Sequence, residues 1–179
     1  MADDKAPSIE TPSRHGTLVA AVSAAAAGAT ATQLTARSFF VAWNGVLVLT
    51  FDGFPPALAH IKERLASSAP ELNLQAENFG SKWPKCTLAA LTDAAEPLTL
   101  TQLTALKELC KQHDLAGCAP AAVSTISVVE YEQRSLEQPT QRTDIALQSS
   151  AGPSEPPVAE ERERVDRVLS EWSDVDAYL

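Results

Sequence analysis

The sequence predicts an α+β fold: a two-layer sandwich in β-β-α-β-α-β-β order, its sheet mostly antiparallel with helices on one face, plus a C-terminal amphipathic helix. Three observations predict it. Two apolar, β-branched runs flank Asn44-Gly45. Two segments with apolar residues at three-four spacing alternate with short strand-like runs. Val158, Val165, Val168, Trp172, Val175 and Leu179 recur at spacings of seven, three, four, three and four, which sets all six on one seam of a helix.

The first strand pair is Ser38-Phe-Phe-Val-Ala-Trp43 and Val46-Leu-Val-Leu-Thr-Phe51. Asn-Gly supplies the two positive-φ residues of a type I′ turn, so these runs are expected as a hairpin. Both are apolar at nearly every position, which calls for helices or a second layer over both faces. Asp52-Gly53-Phe54-Pro55-Pro56 breaks the second strand, and Pro56 can open a helix. Leu58, Ile61 and Leu65 then form its apolar face, and Ser67-Ser68-Ala69-Pro70 ends it. Lys85 to Leu91 is a short strand. Thr99 with Gln102 is a capping box, followed by Leu100, Leu103, Leu106 and Cys110, so 99–113 is an amphipathic helix. Gly117 and Pro120 close that region. Val123 to Leu136 is a strand candidate, and Thr143 to Leu147 can return antiparallel to it.

This pattern divides the chain into a polar, disordered tail over 1–16, an Ala/Thr-rich helix or linker over 17–36 with a helix at roughly 17–27, and an α+β domain over 37–147. A Pro/Ser-rich linker over 148–157 leads to the amphipathic helix over 158–179.

The net charge of −9 argues against broad electrostatic contact with nucleic acid or an anionic membrane. The apolar run Leu18 to Ala31 is too short and too alanine-rich to span a bilayer. The acidic start, Met1-Ala-Asp-Asp-Lys, fits neither a signal nor a transit peptide. Cys86, Cys110 and Cys118 are odd in number and form no C-x-x-C pair, which fits the cytoplasm or another reducing intracellular compartment.

No signature of catalysis stands out. Cys110, His113 and Asp114 lie within one helical turn, but Cys110 sits on the leucine face, where core packing is its expected role, and no serine, cysteine or threonine has a triad context. No metal or cofactor is expected. The chain reads as a non-enzymatic interaction protein or assembly subunit. Its C-terminal helix would dock on another protein or a larger assembly through Val165, Val168, Trp172, Val175 and Leu179, with Trp172 as the anchor. The same seam would also suit a helix folded back on its own sheet.

A second reading rests on Lys82, Trp83, Lys85 and Thr87, two lysines and an indole around Pro84 that could hold a phosphate or a base. Lys85-Cys86-Thr87-Leu88 resembles the H-x-[ST]-hydrophobic motif of the two-histidine phosphoesterases, with Lys in place of His, and His15-Gly16-Thr17-Leu18 matches that pattern. The resemblance implies a paired α+β body and, with a histidine replaced, a binding pocket rather than a general acid or base.

Overall fold

In a computed structural model, the structure describes residues 13–42, 45–68, 72, 83–92, 96–132, 139–150 and 152–173, with side chains only to residue 170. The fold is α+β, with four helices and antiparallel strand pairing among these residues.

Helix α1 (Arg14–Ala26) starts inside the segment expected as a tail. Ser13 caps it by accepting the Gly16 N–H at 3.1 Å. The helix ends just before Gly28, whose φ of +78° is the left-handed turn that commonly follows a helix. Its alanines belong to the core rather than to a linker. Ala25, Ala26 and Ala29 pack with Leu58 and Ile61 of α2 (Pro56–Ser68) and with Leu147. Small side chains bring the two helices close, and Arg64 of α2 donates to the Ala27 carbonyl at 3.1 Å.

β1 (Thr32–Leu34) pairs antiparallel with β5 (Ala121–Val123). β6 (Thr125–Tyr131) pairs antiparallel with β7 (Pro139–Ala146), which begins four residues before the expected return strand. Gln148 bridges Thr30, and Ser154 accepts the Gln33 N–H at 3.0 Å, so the proline-rich segment is lashed to β1 rather than running as a separate linker.

The expected hairpin is β2 (Ala36–Val41) and β3 (Leu47–Phe51), and β4 (Lys85–Ala89) adds to β3, giving the order β2-β3-β4. The connection differs from a two-residue turn. Gly45 N–H donates to the Ala42 carbonyl and Ala42 N–H to the Val46 carbonyl, both at 2.9 Å, so three residues close it, with Gly45 at φ +79°. Trp43 and Asn44 lie outside the described residues.

Helices cover both faces of this sheet, not one. Phe40 and Val48 are register partners and share one face; Phe39, Val41, Leu47 and Leu49 share the other. Helix α4 (Ala159–Ser173) lies over the first face, where Val165 packs with Phe40, Val48 and Trp83. Helix α3 (Leu100–Gln112) lies over the second.

Candidate functional site: an apolar trough beside α3

α3 is set up by its capping box: Thr99 accepts the Gln102 N–H at 3.3 Å, and Gln102 Oε1 accepts the Thr99 N–H at 2.9 Å. Leu103 is the one buried side chain of this helix. Leu106 and Leu109, three residues apart, form the neighbouring stripe and lean over the sheet without covering it.

The result is an open trough of about 420 Å³. Phe39, Val41 and Leu47 form its floor, Leu106 and Leu109 one wall, and Leu91 the other. No aspartate, glutamate, lysine or arginine lines it, in a chain of net charge −9. Leu91, Leu106 and Leu109 are 38%, 37% and 51% exposed. A concentration of exposed leucines without charge is the composition of an interface centre. At the far end stands His113, which caps α3 and meets Phe39 edge to face at 6.2 Å. Cys110 also lines the trough, and burial pushes its thiol up.

A strand cannot easily extend the sheet here. Val48 pairs with Thr87 and Leu47 with Ala89, which leaves Leu88 bulged out of register on β4. A bulge together with Lys85 at the strand start blunts an exposed edge. Access is to the face of the sheet.

Of the residues expected to meet a partner, Val165 and Val168 are described with their side chains. Val165 is 1% exposed and fills the sheet's own face; Val168 and Leu169 are partly buried beside it. Arg37 reaches Asp166 at 2.8 Å on the same helix. The Trp172 side chain, Val175 and Leu179 lie outside what is described. Sequence periodicity does not distinguish the two outcomes, because a seam that fits a partner's groove also fits the protein's own sheet. What it carried without being used was Leu109, a leucine beyond the Leu103–Leu106–Cys110 face that an amphipathic helix needs.

Of the residues expected to hold an anion, Trp83, Lys85 and Thr87 are described. Trp83 is buried, edge to face with Phe40 at 6.4 Å. Lys85 Nζ lies 4.8 Å over the Trp83 ring, so this cation rests on its own neighbour's indole. Thr87 is exposed on β4, and Lys82 lies outside the described residues. His15 belongs to α1, not to a strand.

A larger cleft of about 660 Å³ opens between the α1–β1 connection, α2 and residues 150 and 153–155, with His60, Glu63 and Arg64 on its wall. Across its lining, Arg64 holds the Ala27 carbonyl, and Thr32 and Ser154 share a hydrogen bond between their hydroxyls.

Among the described residues, no group of three histidine, cysteine or carboxylate side chains is placed to hold a metal ion, and no helix is long and apolar enough to cross a membrane. No protein family, curated protein or solved structure matches the chain.

Proposed function

We propose that this chain is a non-enzymatic protein-interaction module whose trough beside α3 receives the apolar face of a partner protein's helix. The uncharged, leucine-walled trough carries this reading. A helix is the fitting occupant because the bulged, lysine-led β4 edge disfavours an added strand, while an open face between a helix and a sheet accepts side chains at i, i+3 and i+4. Burying two or three such leucines against a complementary groove is how a few contacts supply most of a binding energy.

Leu109→Glu tests this, because it sets a carboxylate on the trough wall while leaving buried Leu103 in place. Partners bound by the wild-type chain should be lost from Leu109→Glu and kept by Glu108→Gln, with unchanged circular dichroism in both. Trp172→Ala is the companion variant for the C-terminal seam. If Leu109→Glu keeps the full set of partners, the trough is not the docking surface.

A further inference from the structure

His15, Glu130 and Thr143 meet where the first turn of α1 crosses the β6–β7 hairpin. His15 Nε2 lies 2.9 Å from Thr143 Oγ1, and Nδ1 lies 3.9 Å from Glu130 Oε2. The imidazole is 11% exposed and the Glu130 side chain 32%. Nδ1 is buried and has no hydrogen-bond partner among the described residues. A buried polar atom left without a partner is a cost that a fold seldom carries without reason.

The surroundings narrow the reason. Thr143 is the register partner of Val128, two positions from Glu130, so Thr143 and Glu130 share the hairpin face beneath α1. On β7, Arg142 and Asp144 point to the opposite face, where they pair with each other at 2.8 Å and Ser127 donates to Asp144. On α1, Arg14 precedes His15. Among the described residues, Glu130 is the hairpin carboxylate that lies within 4 Å of the ring.

We propose that His15 is a proton-operated latch between α1 and the β6–β7 hairpin. At 3.9 Å neither neutral tautomer makes a hydrogen bond to Glu130, and among the described residues the ring's hydrogen-bond partner is Thr143. Uptake of one proton gives both ring nitrogens an N–H and the ring a positive charge. At this separation, in a half-buried site, that charge attracts the carboxylate, and a small side-chain adjustment closes the pair. The latch is tight where the imidazole is charged and Glu130 ionised, and it slackens when the ring gives up that proton.

Hydrogen exchange of the α1 amides at pH 5.5 and pH 8.0, corrected for intrinsic exchange, tests this on the full chain. In the wild type, protection across the first turns of α1 should be roughly two- to fivefold greater at pH 5.5 than at pH 8.0, the range of a partly exposed ion pair. Glu130→Gln should abolish that difference and leave the α3 amides unchanged. His15→Gln keeps a polar contact to Thr143 and should show the same low protection at both pH values. An equal pH ratio in the wild type and Glu130→Gln would overturn the latch, as would a wild type whose α1 protection does not change with pH.

Discussion

The Glu161 carboxylate accepts the backbone N–H of Phe54 at 3.2 Å, across 107 positions of sequence. Glu161 is 8% exposed, a buried carboxylate within an otherwise apolar seam. Its other oxygen meets Arg164 at 2.5 Å. It also stands in the first turn of α4, where the unpaired N–H groups of the helix favour a negative charge. This polar residue in the valine seam is the pin that fixes the start of α4 on the loop after β3.

The pin needs Gly53. Its φ is +138°, and an added Cβ would lie 2.9 Å from Glu161 Cβ and 3.1 Å from Pro157 Cβ. Gly53→Ala combines backbone strain with a helix pushed off its seat, and the expected loss is about 1–3 kcal/mol. Urea unfolding monitored by circular dichroism measures it. A midpoint equal to the wild type's would show that α4 does not rest on this loop.

Val165 makes the apolar half of the same contact. Val165→Ala removes two buried methyl groups from among Phe40, Val48 and Trp83, and should cost about 2 kcal/mol. Val158, first residue of the same seam, is 53% exposed, and Val158→Ala should stay within about 0.5 kcal/mol. The seam is thus expected to be uneven in energy, and denaturation of the two variants side by side checks it.

The features legible in the sequence were those set by local chemistry. The Asn44-Gly45 hairpin, the strand at Lys85 and the Thr99 capping box each follow from residues a few positions apart. The apolar character of β2 and β3 on both faces correctly called for cover on both sides. Two things were not legible. Helix α1 buries alanines, which leave no periodic pattern of large side chains, so its place in the core was hidden. The destination of α4 depends on Gly53 having no Cβ and on Phe40 and Val48 sharing a face, both far away in sequence. The trough was hidden for a related reason: Leu106 and Leu109 look like core residues until the sheet beneath them proves too wide for one helix to cover.

The α3 wall of the trough depends on its cap. Thr99→Ala deletes the acceptor for the Gln102 N–H and the hydroxyl that donates to Gln102 Oε1, while the backbone N–H of residue 99 keeps its bond to that oxygen. The expected cost is about 1 kcal/mol, with fraying of the first turn. Hydrogen exchange should rise at the first amides of α3 and not at Cys110. Uniform loss of protection along the helix would instead show that the cap holds the whole element.

Asp144 predicts a modest acid sensitivity. The hydrogen bond from Arg142, then that from Ser127, holds its carboxyl below the usual carboxylate range. A carboxyl lowered on folding contributes stability that is present above its unfolded value and fades as the pH falls through its folded value. The pair is fully exposed, so solvent screens it and the effect is small. Asp144→Asn should therefore melt slightly earlier than the wild type at pH 7, with the two curves merging as the pH falls through the lowered carboxyl. A gap that persists at low pH would assign the loss to packing rather than charge.

Cys110 provides a reporter for the trough itself. Its thiol is half-buried against the sheet and raised by desolvation, whereas Cys86 and Cys118 are exposed. The thiolate is the reacting form, so a raised and shielded thiol alkylates slowly. Iodoacetamide at pH 7.5 should modify Cys86 and Cys118 before Cys110, as peptide mass spectrometry can follow. A helix bound in the trough would slow Cys110 further and leave Cys118 unaffected, since Cys110 lines that surface and Cys118 does not. Equal slowing of both would point to aggregation, and unchanged Cys110 labelling with a partner bound would place that partner elsewhere on the molecule.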